Sequence, residues 1–307
     1  MRALVSGGAG FIGSNVVDGL VKEGHEVFVV DNLSTGKEKN LNPSVKFFNV
    51  DIQDKNALEE VFKESKPEVV FHLAAQIDVR KSVENPQFDA STNVIGAINV
   101  FELSVKHNVR RVVFSSTGGA IYGEPETLPA TEETPVAPLA PYGVSKYCGE
   151  QYLHYFKRLF GIERVILRYA NVYGPRQDPL GEAGVIAIFT GKIMKNEQPV
   201  IFGDGNQTRD YIYVEDVVSA NLLAINGKEG VYNIGTGIET SVNELVKMFE
   251  KVMNKKIVPE YAPPRKGEVQ RIALDAAKAE KELGFKPQYD LFEGLKKTIR
   301  WYKENEG

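Results

Sequence analysis

Tyr142 and Lys146 stand four residues apart, a spacing that puts a phenol and an ammonium on one helix face, one turn from each other. A phenol has a pKa of about 10 and is a poor base at neutral pH, but neighbouring positive charge stabilises the phenolate. Such a pair can take a proton from a hydroxyl. By themselves, a Tyr and a Lys at this spacing describe a solvated helix face equally well. Thr117 ends the run Phe114-Ser115-Ser116-Thr117, where its hydroxyl is set to hydrogen-bond a reacting oxygen. Ser116 is an alternative, and a strand-end hydroxyl capping nearby backbone is a third reading.

Gly7, Gly10 and Gly13 make a G-x-x-G-x-x-G pattern directly after a short apolar run, and Phe11 and Ile12 open an amphipathic stretch behind it. Absent side chains let a backbone approach a pyrophosphate, whose charge suits the free N–H groups and dipole of a helix N-terminus. A lone glycine triplet also fits an ordinary tight turn. Asp31 ends the second β-branched run eighteen residues beyond Gly13, where a carboxylate accepts from an adenosine ribose. No Arg or Lys occurs from Asn32 to Gly36, so a 2′-phosphate would meet Asp31 without an adjacent cation. NAD is therefore expected over NADP. Asp51, followed by Ile52, lies where the adenine end would be lined, and reads as readily as a turn residue.

These residues need elements to hold them. Short β-branched runs at 3–5, 26–30, 45–50, 69–73, 112–115 and 164–167 alternate with stretches of near-3.6 apolar spacing at 12–23, 55–64, 87–106 and 142–160. This order predicts an α/β fold, a doubly wound parallel sheet covered by helices on both faces. After residue 167 the alternation stops and a glycine-rich region begins, with short elements near 217–225, 241–253 and 291–302. It predicts a smaller α/β C-terminal lobe at the carboxyl ends of the strands. The domains are expected at 1–168, rejoined by 210–229, and at 169–307.

Across 307 residues, 37 Lys+Arg against 41 Asp+Glu leave a formal charge of −4, so no basic field draws the chain to nucleic acid or anionic lipid. Cys148 is the single cysteine and the four histidines show no ligand spacing, so no metal is expected. No basic leader with an apolar stretch and no run of membrane-spanning length is present, which predicts a cytoplasmic protein away from membranes.

Together the motifs resemble the extended short-chain dehydrogenase/reductase family. The glycine pattern, His72-Leu73-Ala74-Ala75-Gln76, Asn93, Thr117 and the Tyr142/Lys146 pair carry the likeness over essentially the whole chain. Within that family the chain is most similar to UDP-glucose 4-epimerases, through the segments 31–36, 168–174, 203–211 and 264–268. The resemblance implies a Rossmann-type domain that holds NAD, with Leu73, Ala74, Ala75, Asn93 and Ser115 joining Gly7 to Gly13, Asp31, Asn32, Asp51, Ile52, Tyr142 and Lys146 as cofactor contacts. It implies catalysis by Thr117, Tyr142 and Lys146 on a UDP-sugar, through a transient 4-keto form without net redox. Asn171, Arg209 and Arg265 match positions that hold the UDP phosphates, and Tyr211 and Glu268 match further substrate contacts. Alone, each arginine fits a surface charge better. The family also commonly pairs its two long helices into a homodimer.

Two departures matter. Dehydratases of this family carry an acidic pair just after the threonine, whereas Gly118 and Gly119 stand here and cannot protonate a leaving hydroxyl. After Ala75, Gln76 to Arg80 replace a lysine-containing pattern of the best-known bacterial epimerases. Ile272 aligns with a bulky tyrosine of strict glucose/galactose enzymes, which implies room for a 2-N-acetyl group. The alternatives are therefore a 4-epimerase of UDP-N-acetylglucosamine or of a UDP-uronic acid. From another class comes a noncatalytic NAD-sensing or RNA-binding protein, which would have no use for the Tyr/Lys pair.

Overall fold

Seven parallel strands form the central sheet of the computed structural model, which describes residues 1–180, 184–264 and 269–305. In chain order the first half runs β1 (Arg2–Ser6), α1 (Phe11–Lys22), β2 (Glu26–Asp31), β3 (Lys46–Asn49), α2 (Lys55–Ser65), β4 (Val69–His72) and α3 (Val79–Glu84). It continues through α4 (Pro86–Ala90), α5 (Gly96–Lys106), β5 (Arg111–Thr117), α6 (Gly118–Ile121), α7 (Pro141–Phe160) and β6 (Glu163–Tyr169). The second half holds β7 (Asn171–Tyr173), α8 (Val185–Met194), β8 (Val200–Phe202), β9 (Thr208–Arg209), β10 (Tyr211–Tyr213) and α9 (Val214–Leu223). It ends with β11 (Gly230–Ile234), β12 (Thr240–Ser241), α10 (Val242–Met253), β13 (Glu260–Ala262), α11 (Ala277–Leu283) and α12 (Leu291–Asn305).

The sheet order is β11-β6-β5-β4-β1-β2-β3, the order of a Rossmann-like α/β fold. The chain winds one way from β1 and the other way from β4, and a crevice opens where those two strands end side by side, with Ser6 paired to His72. The β-branched runs expected from the sequence are strands β1 to β6. The seventh strand, β11, is not among them: its five residues Gly-Val-Tyr-Asn-Ile are too short and too polar to announce a buried strand. It pairs with β6 along its whole length, and α9 packs against α1, so this late stretch rejoins the first-half layers.

Apolar side chains fill both faces of the sheet. Val5, Val16, Leu20, Val29 and Phe71 lie on one side, and Leu4, Phe28, Val70, Phe101 and Phe114 on the other. A third cluster around Phe189, Tyr213, Leu245 and Phe249 is the core of the smaller lobe. The single helix expected over 87–106 is divided. Asn85 accepts from Phe88 N and Pro86 takes a first-turn position, which starts α4, and a π-helical turn over Ser91–Ile95 joins it to α5. Such a turn inserts a residue into the helix and re-aims the turns beyond it. Here it brings Asn93 over Asp89, with Nδ2 donating to Oδ1 at 3.1 Å.

His72 ends β4 fully enclosed between the rings of Phe101 and Phe114, with Nδ1 2.7 Å from Ser6 Oγ. Burial, with the Lys146 ammonium adding to it, pushes this imidazole from 6.5 down to about 3. An unfolded chain takes up a proton as the pH falls below about 6.5, whereas the folded chain does not until about 3. Stability is therefore lost as the pH falls through that window, by up to about 1.4 kcal/mol per pH unit from this group. Urea unfolding of the parent and of His72→Gln at successive pH values should give a shallower pH dependence for the variant.

Candidate active site

Strand β1 delivers the chain into the glycine turn. Gly7 has φ +75°, and a Cβ there would stand 2.6 Å from Ala74 N at the end of β4. At Gly13 a Cβ would stand 2.0 Å from Gly7 O, so the first turn of α1 closes directly onto the loop. Gly10 caps that helix without a side-chain hydrogen bond, leaving its first N–H groups for a ligand. Phe11 and Ile12 form the partly exposed start of α1. Asp31 ends β2 with its carboxylate almost buried, accepting from Ala9 N at 3.0 Å and Leu33 N at 2.8 Å. Desolvation nevertheless holds its pKa above the usual value. Asn32 Nδ2 donates to Asp51 Oδ2 at 2.8 Å, which joins the two residues expected at the adenine end. An uncapped helix start, a side-chain-free turn and a carboxylate at the end of β2 fit a dinucleotide, with no cation within the loop from Asn32 to Gly36 for a 2′-phosphate.

Several expected cofactor residues act on the protein itself. Ile52 packs in the core, and its carbonyl accepts from Asn99 Nδ2 at 2.9 Å. Asn93 places its N–H groups on Gln76 O, 2.8 Å away, and on Asp89, and its Oδ1 accepts from Gln76 N at 2.7 Å. It therefore fixes the backbone at Gln76, just past the end of β4. Leu73 N donates to Ser6 O at 3.0 Å, and Ala74 and Ala75 come next with partly exposed side chains at the strand end.

The side chains of β5 alternate between the two faces of the sheet. Ser115 and Thr117 fall on one side, where Ser115 is hydrogen-bonded to Tyr169 and Thr117 to Tyr142. Ser116 points the other way, 3% exposed, and donates to Glu150 Oε1 at 2.5 Å. Strand geometry thus excludes Ser116 as the substitute for Thr117.

Pro141 starts α7, and Ser82 of α3 accepts from Tyr142 N at 3.2 Å. Lys146 is buried, with Nζ 4.7 Å over the Phe114 ring. Burial pushes its ammonium down to about 8, opposed by Glu150 and Asp89. Burial also pushes the Tyr142 phenol up to about 12, helped by the Asp89 carboxylate and opposed by Thr117. Spacing along the helix predicts a phenol lowered by its lysine. In the folded chain desolvation wins: Lys146 is buried and Tyr142 is half-buried, so the charged form of each loses hydration.

One turn beyond Lys146, Glu150 forms a buried pair with Arg168 of β6: Nη2 to Oε2 is 2.6 Å and Nε to Oε1 is 2.9 Å. Arg168 Nη1 donates to Tyr122 Oη at 2.8 Å, and that hydroxyl donates to Asn233 Oδ1 at 2.7 Å. Helix α7, strands β5 and β6 and the late strand β11 are thereby joined in one polar network. Glu150 is legible at Lys146 + 4, and Arg168 opens the segment 168–174, but nothing in the sequence pairs them.

On the lobe side, Asn171 lies just beyond β6 with Oδ1 buried and unpartnered among the described residues. A Cβ at Gly119 would lie 3.4 Å from that atom and 4.0 Å from Thr117 Oγ1, so position 119 faces the space between them. At Gly118 a Cβ would be 2.3 Å from Leu274, so an acidic pair here has neither a carboxylate nor room for both side chains. Arg209 and Tyr211 flank Asp210, whose buried carboxylate accepts from Thr236 N at 3.0 Å, Thr236 Oγ1 at 2.6 Å, Gly237 N at 3.0 Å and Leu274 N at 3.1 Å. Arg209 Nη1 donates to Thr208 O at 2.8 Å. Tyr211 is 7% exposed and borders a cavity of about 650 Å³ with Thr236, Ile238, Lys286 and Tyr289. Arg265 and Glu268 lie outside the described residues. Ile272 is 1% exposed in the sheet-side core, so its side chain does not open space for a larger sugar. Among the described residues no helix is long and apolar enough to cross a membrane, and no group of His, Cys, Asp or Glu could hold a metal ion.

Comparison with known proteins gives this geometry a context. Residues 3–235 match the model of the NAD dependent epimerase/dehydratase family. A Methanocaldococcus jannaschii protein, provisionally named a UDP-glucose 4-epimerase, is 54% identical over 302 residues, 98% of each chain. The crystal structure of UDP-glucose 4-epimerase from Thermotoga maritima, with UDP-glucose, superposes with a TM-score of 0.98 at 50% identity, covering 100% of both chains. That of the Thermus thermophilus UDP-glucose 4-epimerase, a complex with NAD, superposes at 0.95 with 43% identity, covering 99% of this chain and 100% of the other.

The Glu150/Arg168 pair makes a test of the network. Glu150→Gln leaves a buried guanidinium without its counter-charge, a loss of about 3–5 kcal/mol. Thermal unfolding should show Tm lower by an amount on the order of 10 °C.

Proposed function

This chain belongs to the NAD dependent epimerase/dehydratase family, and we propose that it interconverts UDP-glucose and UDP-galactose by inverting C4. The observation that carries the reading is the meeting of Tyr142 with Thr117 at the carboxyl edge of the sheet, beside Gly118 and Gly119, with Lys146 buried one turn along α7. The relatives that share half or more of its residues are UDP-glucose 4-epimerases by name. The hexosamine, uronic-acid and noncatalytic alternatives are not favoured.

When bound, NAD supplies the acceptor and then the donor of the C4 hydride, so the sugar passes through a transient 4-keto form without net redox. The glycine turn, the N-terminus of α1 and Asp31 bind it. Tyr142 Oη takes the proton of the 4-hydroxyl and returns it on the opposite face of the sugar. Thr117 Oγ1 orients the same oxygen. With burial holding the phenol near 12 and the lysine near 8, the base forms only where added positive charge stabilises the phenolate. Lys146 would hold the nicotinamide ribose and, together with the oxidised ring, would supply that charge once the cofactor is bound. Asn171, Arg209, Tyr211, Arg265 and Glu268 hold the UDP moiety. Arginine suits paired phosphate oxygens, and binding energy placed there leaves the hexose free to turn over.

The dinucleotide-binding unit of this reading is 1–168 with 210–229, to which 230–234 is added because β11 pairs with β6; the rest is the nucleotide-sugar lobe. The reading includes a homodimer. Phe88 of α4, Ile95 of the π-helical turn and Val144, Tyr152, Tyr155 and Leu159 of α7 leave an apolar surface exposed, suited to the same helices of a second copy. A cytoplasmic location completes it, in keeping with a single, unpaired cysteine.

Incubation of the purified protein with UDP-galactose, without added NAD, should yield UDP-glucose. Absence of inversion with either sugar overturns the function. Tyr142→Phe should lower kcat by at least about 100-fold, and a variant with unchanged kcat removes Tyr142 as the base. Light scattering should report a dimer, with Tyr155→Asp/Leu159→Asp shifting it to a monomer.

A further inference from the structure

The geometry points to Asp89 as a positioning residue for the Tyr142/Lys146 pair: a fixed, buried negative charge, tied to the serine between those two residues, that keeps both protonated in the resting site. Asp89 is 0% exposed. Its Oδ2 accepts from Ser145 Oγ, and its Oδ1 accepts from Gln76 Nε2 at 2.9 Å and Asn93 Nδ2 at 3.1 Å. All three partners are neutral donors, which match a carboxylate that only accepts. No guanidinium or ammonium hydrogen-bonds to it among the described residues, unlike Glu150, whose charge Arg168 offsets. Its field therefore reaches the nearest titratable groups, and both the phenol and the ammonium of the pair feel it.

Of the elements packed around α7, α6 and the π-helical turn carry no titratable side chain, and the others contribute different groups. Helix α4 brings Asp89, β5 brings the neutral Thr117, and β4 brings the neutral His72. Strand β6 brings Arg168, bound to Glu150. In α3, Ser82 meets Tyr142 N, and the capping Asp78 accepts from Arg80 N and Lys81 N of its own helix. On α5, Glu102 pairs with Lys55 and Lys106 with Glu59 at the surface. Asp89 is the one carboxylate that acts on the phenol. An asparagine would satisfy most of the same hydrogen bonds, so the charge is what the carboxylate adds. Asp89 owes its place to Pro86 and Asn85, which start α4, and to the π-helical turn that folds Asn93 back over it.

The inference rests on Tyr142 as the base. The sign is fixed by charge: without Asp89 the phenolate becomes easier to form and the ammonium harder to keep, so both pKa values fall. In the holoenzyme, the pH profile of kcat/KM for UDP-galactose should therefore move to lower pH in Asp89→Asn at both its acid and its basic limb, by about half a unit or more. An independent readout is tyrosinate absorbance, taken as the difference between a protein and its Tyr142→Phe counterpart. It should rise at lower pH in the Asp89→Asn background than in the parent. A purely structural role lowers kcat at every pH without moving the limbs; unmoved limbs and an unmoved titration overturn the proposal. If Asp89→Asn does not fold, Ser145→Ala decides, since it keeps the charge and removes its anchor: both limbs of the kcat/KM profile should move to lower pH, by less than the loss of the charge would move them, and unmoved limbs overturn the proposal. Failure of the base reading shows separately, as activity retained in Tyr142→Phe.

Discussion

Parallel pairing of β1 with both β2 and β4 is the constraint on which the site depends. Because all seven strands run the same way, their carboxyl ends open at one edge. There the glycine turn succeeds β1, Asp31 ends β2, Ala74 lies just past β4, Thr117 ends β5 and Asn171 lies just past β6. The reversal of winding between β1 and β4 leaves the crevice. At its floor Gly7 approaches Ala74 so closely that there is no space for a side chain.

Burial then governs the chemistry. Removing water disfavours charge on the phenol and the ammonium alike, and pushes them apart from their ordinary values, up to about 12 and down to about 8. A phenol in this condition gives up its proton only where positive charge is added beside it. The two carboxylates beside the pair are handled differently. Glu150 is answered by Arg168 and ties three strands to α7, while Asp89, among the described residues, accepts hydrogen bonds from neutral donors alone.

The smaller lobe is attached by the same physics. A buried carboxylate at Asp210 is tolerable only because three backbone N–H groups and one hydroxyl close around it. Those donors come from the turn after β11 and from the segment ending at Leu274. Arg209 and Tyr211, one residue to either side, are thus fixed relative to both the main sheet and the closing segment.

The sequence by itself determined the strand and helix alternation, the glycine turn, Asp31 and the Tyr142/Lys146 spacing. Each of these is local: it depends on residue type, on a period of 2 or 3.6, or on a fixed offset along one helix. What the tertiary structure decided is nonlocal. Strand β11 has too weak a pattern to be read alone, yet it is recruited by pairing with β6. The helix expected over 87–106 is broken by a cap at Asn85 and a π-helical turn, whose use emerges only when Asn93 meets Gln76 and Asp89. The choice of Thr117 over Ser116 depends on which side of β5 faces the crevice. Most of all, the direction in which Tyr142 titrates was set by packing, because desolvation depends on what surrounds a group in space, and a sequence records only its neighbours along the chain.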